Sequence, residues 1–303
     1  MPRLVPDVDL SKPYNSVLID CHRGLGNRLL PLLSGAAFAK ERGLPLFFCW
    51  NRYQPPYSTP PWPDPIYSFG LSLEDLWTYP EQWRQIVPEE MRWRKRHSRR
   101  ALYYAGPAMF HAQAFSMLSC LSPTSSVCER VRRMSELLLA ETDAGRRPLV
   151  SVSVRTACAW GKVTLRQSPP SWFEDRMRQI EQDHPKVVFF LSSESEELCR
   201  SWSSMFKSPV LWQSRKNVKY STPEAISIAA ADLHLMATFS NHLLAPSGST
   251  FWRIAVGLAS VDGRNITYDT AEDQCSPARR RFSLTRRENP GFWSVPIDAA
   301  RSL

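Results

Sequence analysis

The chain has 303 residues, 43% of them hydrophobic and 22% charged. That balance excludes global disorder and leaves room for two domains of about 150 residues or one large α/β domain. A formal net charge of +9 and a pI near 9.3 favour anionic partners: nucleotide phosphates, nucleic acid, acidic glycans or a membrane surface.

In chain order, residues 1–18 lack the basic-then-apolar form of a secretory signal, and no apolar run reaches the length of a membrane span. The sequence therefore reads as a soluble, cytoplasmic chain, although a Golgi enzyme without its anchor would read the same way. The run 17–21 predicts a strand, the apolar spacing over 29–42 a helix stopped by Gly43, and 44–50 a second strand. This is a βαβ unit with a glycine turn at the carboxyl end of its first strand, the place where open α/β sheets bind ligands. The proline-rich stretch 54–65 predicts an exposed loop. Residues 71–100 read as partly helical and end in the basic run 92–100. A second basic group holds Arg279, Arg280, Arg281, Arg286 and Arg287. Each reads as a solvated face or as a contact for a charged acceptor. A helix is expected over 128–141, and the polar break 143–148 divides the chain into domains 1–147 and 148–303.

The alternation then restarts. Strands are predicted at 149–154, 187–191, 210–212 and 242–245, with helices at 172–183, 196–206, 223–238 and 249–258. The tail from Asp262 is expected to cross back to the first domain. Strand–helix repetition of this kind predicts an α/β fold of parallel sheets with right-handed crossovers. Seven cysteines, Cys21, Cys49, Cys120, Cys128, Cys158, Cys199 and Cys275, form no CxxC pair and no zinc spacing. Most sit in apolar stretches and read as buried thiols.

Three strand ends carry chemistry. Gly24-Leu25-Gly26-Asn27-Arg28 lets backbone amides approach a ligand and directs the following helix's positive end at anions. A structural tight turn is the other reading, and Leu29 stands where a dinucleotide fingerprint needs its third glycine. Arg155, directly after 149–154, can clamp phosphate oxygens and neutralise a departing diphosphate, or can serve as an interdomain ion pair. The stretch Ala245-Pro246-Ser247-Gly248-Ser249-Thr250-Phe251 joins a strand to a helix. Ser249 or Thr250 is the N-cap candidate, and the hydroxyls and free amides make a phosphate seat that needs no metal; plain capping is the alternative. His22, opening the glycine loop, is a candidate general base or else a hydrogen-bonded structural histidine; Asp20 and Glu194 are weaker candidates.

HRGLGNR at 22–28, VSVSVRTA at 150–157, FFLSSESEE at 189–197 and AAADLHLMATFSNHLLAPSGSTF at 229–251 stand in an order that resembles the fucosyltransferase superfamily of GT-B fold. That superfamily includes α1,2- and α1,6-fucosyltransferases, nodulation fucosyltransferases and protein O-fucosyltransferases. The resemblance implies two Rossmann-like domains facing across a cleft, the second holding the nucleotide and the first shaping the acceptor site. It implies donor contacts at Gly24, Gly26, Asn27 and Arg28, an essential Arg155 on the β-phosphate, and Ser249, Thr250 and Phe251 at the phosphates, with Ser247 and Gly248 in the same seat. It matches the family's acidic residue with Asp232. Such enzymes are inverting, need neither metal nor cofactor, and use GDP-fucose as co-substrate with a glycan, protein or other hydroxyl acceptor. This sequence departs from the pattern in having Ser153 for the family's histidine, Thr156 for its second arginine, Cys158 for a following aspartate and Ser193-Glu194 for an aspartate pair. The competing readings are transfer from another GDP- or UDP-sugar, a nucleic-acid-binding protein using the basic runs and tryptophans, and an inactive nucleotide-sugar-binding descendant.

Overall fold

The computed structural model describes residues 9, 11–21, 24–50, 72–98, 100–105, 109, 111–156, 168–216, 218, 222–247 and 249–271. The first half builds β1 (Ser16–Cys21), α1 (Leu25–Arg42), β2 (Leu46–Trp50), β3 (Trp77–Thr78), β4 (Trp83–Gln85), α2 (Pro88–His97) and β5 (Ala101–Tyr104). A 3₁₀ helix (Ala114–Cys120), β6 (Ser122–Pro123) and α3 (Ser125–Glu141) lead into the second half. There follow β7 (Leu149–Val154), α4 (Pro170–Asp183), β8 (Val188–Ser193), α5 (Glu196–Met205), β9 (Val210–Trp212), α6 (Pro223–Phe239), β10 (His242–Ala245), α7 (Phe251–Val261) and β11 (Thr267–Thr270).

Two sheets result, both parallel throughout, with orders β4-β2-β1-β5 and β11-β10-β7-β8-β9, besides a small antiparallel ribbon of β3 and β6. In the first sheet the chain winds outward from β1 to β2 and then returns to β5 on the other side. In the second it winds from β7 to β8 and β9, then returns to β10. Strand order therefore reverses beside β1 and beside β7, and at such a reversal the crossovers diverge and leave a crevice at the strands' carboxyl ends. Every residue of β2, β7 and β8 is buried, as expected for parallel strands covered on both faces.

The local chemistry explains the departures from sequence periodicity. Helix α1 begins at Leu25, four residues before the apolar spacing starts, because Gly24 takes the N-cap with φ −67° and ψ 164°. It ends where Gly43 turns left-handed at φ 62° and donates to Ala39 and Lys40 carbonyls. Among the described residues of 71–100 only α2 is helical, starting at Pro88, whose missing N–H costs nothing at a helix start. Of the tail from Asp262, expected to cross back to the first domain, Thr267–Thr270 lies beside β10 and 272–303 lie outside the described residues.

One apolar core runs through both halves, joining Ile19, Leu29 and Phe48 to Ile226, Leu235 and Ile254. The outer face of the second sheet has its own core of Val152, Phe189, Phe173, Met177 and Trp202.

Candidate functional site

The carboxyl ends of β7, β8 and β9 open into a cleft of about 530 Å³, part of it open to solvent. Gly24 and Leu25 from α1, Arg155, Glu194, Arg215 and Phe251 from α7 are among the groups that line it. Two helix N-termini, one from each half, thus meet one cavity, each bringing unbonded N–H groups and the positive end of a helix dipole.

Gly26 makes that meeting possible. A Cβ there would lie 2.7 Å from Thr250 Oγ1, 2.8 Å from the Thr250 carbonyl carbon and 2.9 Å from Phe251 N. Thr250 Oγ1 donates to Asn27 Oδ1 at 2.7 Å and locks the two helix starts together. Gly24 is different: a Cβ there would meet nothing within 4 Å, so its smallness serves the open cleft wall. Thr250 sits at the N-cap position of α7 without capping it, since its hydroxyl is spent on Asn27; Ser249 Oγ instead accepts the Phe251 N–H at 3.3 Å. Ser247 is buried, its N–H donating to Ser168 Oγ at 2.7 Å.

Arg155 leaves the buried strand β7 directly into the cleft. Beside it, Thr156 N donates to Glu194 Oε1 at 2.7 Å, tying the ends of β7 and β8 together. Asp232 lies below the cleft on α6, 1% exposed. Its carboxylate accepts from Ser192 Oγ at 2.7 Å, Gln213 Nε2 at 2.7 Å and the Arg215 guanidinium at 2.8 Å. Burial pushes this carboxyl up from its ordinary value, while Arg215 and the three donors pull it back toward the charged form. Arg215, Gln213 and Ser192 escaped the sequence reading. Arg215 had a signal: it follows a short apolar strand much as Arg155 does.

Arg28 is fully buried behind the start of α1, its guanidinium 5.3 Å from the centre of the Trp50 ring. Burial brings its pKa down to about 10, with Cys21, Cys49 and Asp20 nearby holding it up, so it stays charged at neutral pH. His22, Gly248, Cys158, the 54–65 loop and the basic group at 279–287 lie outside the described residues. The basic run at 92–97 lies on a largely exposed face of α2. Arg92 and Arg94 pair with Glu89 and Glu90 at 2.8 Å each, and Arg94 and Lys95 cover the rings of Phe47 and Tyr103. It descends to Arg100, whose carbonyl accepts from Asn15 N at the amino edge of the first sheet, the edge opposite the cleft.

Among the described residues no group of three or more His, Cys, Asp or Glu is placed to hold a metal ion, and no helix is long and apolar enough to cross a membrane.

No protein-family model and no curated protein matches the sequence. Solved structures do. Fucosyltransferase NodZ from Bradyrhizobium is 16% identical, with 80% of this chain and 93% of that chain covered and a TM-score of 0.53; NodZ α-1,6-fucosyltransferase soaked with GDP-fucose superposes at 0.54. POFUT1 in complex with GDP is 12% identical over 84% of this chain and 98% of that one, at 0.50. A mutant of Arabidopsis thaliana FUT1 in complex with GDP is 14% identical over 87% and 72%, at 0.55. At these identities the likeness establishes the fold: this is an α/β protein of GT-B architecture, two Rossmann-like domains facing across a cleft.

Proposed function

We propose that the chain is an inverting, metal-independent glycosyltransferase that moves fucose from GDP-fucose to a hydroxyl acceptor. The observation that carries this reading is the convergence of Arg155 with the N-termini of α1 and α7 on one cleft at the β7 switch point. That combination is built for a diphosphate: a fork of guanidinium donors and two positive helix ends, with no need of a cation. The structures of like fold include complexes with GDP and one soaked with GDP-fucose, which favours guanosine diphosphate as the carrier.

In the transfer, the acceptor oxygen attacks the sugar's anomeric carbon. The bond from that carbon to the β-phosphate oxygen breaks, and its electron pair leaves with the nucleoside diphosphate. Arg155, Ser249 and the amides of Gly26 and Asn27 stabilise the negative charge that builds on the leaving group. The acceptor's proton goes to a base, His22 being the candidate at the head of the glycine loop. Residues 148–303 hold the nucleotide and residues 1–147 shape the acceptor side.

The test is thermal stabilisation by GDP, GDP-fucose, UDP, CMP and ADP without added metal, in the native protein and in Arg155→Ala. A ligand at a hundredfold its Kd adds about 2.7 kcal/mol of stability, easily read as a shift in Tm. GDP and GDP-fucose should shift the native protein and fail to shift the variant, which should remain folded and transfer no sugar. Absence of a shift with every nucleotide, or full turnover by Arg155→Ala, would overturn the proposal.

A further inference from the structure

We infer that Arg215 reads the base of the nucleotide, selecting a purine with two adjacent acceptors, and that Asp232 is the positioning residue that aims it. The inference rests on the nucleotide-sugar reading above and goes beyond it by naming the group that chooses the base.

Arg215 follows β9, two strands away from β7. At about 4.8 Å between neighbouring parallel strands, that places it about 10 Å across the sheet from Arg155. The diphosphate seat lies at the β7 end, where α1 and α7 begin. The β9 end has a different character. Its wall is Ala225, Ile226 and Ala229 from the first turns of α6, an apolar surface for the face of a ring, and its polar groups are Arg215, Glu194 and Ser193.

Local charge then decides what Arg215 can bind. Its guanidinium is bonded to Asp232 at 2.8 Å, its own N–H donates to Glu196 Oε2 at 2.7 Å, and Glu194 lines the same cavity. A cation so surrounded by carboxylates offers a phosphate little net attraction. It still offers hydrogen-bond donors in a fixed plane. Of five guanidinium N–H groups, the carbonyl of Ala225 takes one at 3.2 Å and Asp232 takes another. The side chain is 9% exposed, and it reaches the cleft as a donor with no acceptor to offer. The base edge that fits is the O6 and N7 pair of guanine. Adenine presents N7 beside an amine donor, which would meet the guanidinium donor to donor.

Asp232 cannot itself do the reading: it is 1% exposed and holds three partners. It stops Arg215 from turning away, and its buried charge is in turn satisfied by Arg215.

The experiment uses the native protein and base-modified diphosphates, so that no variant need fold. Dissociation constants are measured for GDP, IDP, 7-deaza-GDP and ADP. IDP keeps O6 and N7 and lacks the 2-amino group; 7-deaza-GDP lacks N7. IDP should bind within about threefold of GDP; ADP, which loses the bidentate guanidinium contact, should bind about 10- to 100-fold more weakly, and 7-deaza-GDP, which loses one of its two acceptors, about tenfold more weakly. In the double variant Arg215→Met with Asp232→Asn, which removes both buried charges together, the preference for GDP over ADP should fall to near unity. Tight GDP binding with 7-deaza-GDP equal to GDP, or with IDP as weak as ADP, overturns the inference and leaves the transferase reading standing. If no nucleotide binds, both fall.

Discussion

Replacing Gly26 by alanine puts a single methyl where two helix starts touch, and the structure sets how much it should cost. The new Cβ would lie 2.7–2.9 Å from Thr250 and Phe251 atoms, two of them backbone. Carbon contacts settle at about 3.5–4 Å, so roughly 1 Å must be found, and no side-chain rotation can supply it against backbone. The N-terminus of α1 has to slide off α7. Overpacking of this kind costs about 1–3 kcal/mol, offset by about 0.5–1 kcal/mol from replacing glycine in a helix. The net loss should be about 1–2 kcal/mol, or a Tm lowered by about 2–8 °C. Gly24→Ala is the matched control: its Cβ meets nothing within 4 Å and its φ of −67° suits alanine, so it should stay near the native Tm. The assay is thermal unfolding of both variants with and without GDP. Gly26→Ala should lose stability and most of its response to GDP, because sliding α1 breaks the Thr250–Asn27 bond and displaces the amides proposed to seat the phosphates. A Gly26→Ala protein with native Tm and native GDP affinity would refute the close contact and the seat built on it.

The Trp77 indole donates to His234 Nε2 at 3.0 Å across the two halves, and burial holds the His234 pKa down to about 4. Between about pH 6.5 and 4 the unfolded chain takes up a proton that the folded one refuses, so stability should fall by about 3 kcal/mol over that window; His234→Gln, which keeps an acceptor for the indole, should flatten the slope in pH-dependent denaturation, and an unchanged slope would rule His234 out as its source. Asp232→Ala strips the partner from buried Arg215 and should cost about 3–5 kcal/mol in chemical denaturation; a loss below about 1 kcal/mol would show that Arg215 is hydrated rather than held. Trp77→Phe leaves the His234 acceptor buried without its donor and should cost about 1–3 kcal/mol, most of it absent when His234 is already Phe.

The elements most legible in the sequence were those whose burial is written in a short period. The strand at 242–245 and the strand at 149–154 stand where their apolar runs place them, and α6 extends the expected helix by one residue. What stayed hidden depends on partners far along the chain. Strand β5 carries Ala101 and Leu102 directly after a basic run, and only its pairing with β1, over eighty residues earlier, makes it a strand. The first turn of α1 stayed hidden because Gly24-Leu25-Gly26-Asn27-Arg28 reads as a glycine turn with Arg28 facing the donor, whereas the fold makes 25–28 helical and buries Arg28 against Trp50. The site divides the same way. Arg155 was visible because an arginine ending a buried strand is conspicuous within six residues. Arg215 was not, because its meaning lies in Asp232, seventeen positions on, in a mostly apolar stretch of α6. Beside its place after a short apolar strand, Arg215 had a second signal in Asp232: a carboxylate among Ala229, Ala230, Ala231, Leu233 and Leu235 must find donors, and the place to seek them is the charged end of the preceding strand.

The same long-range logic bears on how the cleft works. The break at 143–148 suggests two domains free to move, yet the apolar core passes through both halves, from Ile19 and Phe48 to Leu235 and Ile254. Two polar contacts pin that core at its edges, Thr250 to Asn27 at the cleft and Trp77 to His234 behind it. Swinging the halves apart would expose buried leucines and isoleucines at about 25 cal/mol per Å² and strand the Trp77 and His234 partners in the opened interface. Rigid closure about a hinge is therefore the expensive route to a working site. The cheap one is a cleft whose proposed phosphate seat is already assembled when the chain folds, so on that proposal donor binding and folding stability should rise and fall together in every substitution at the α1–α7 contact.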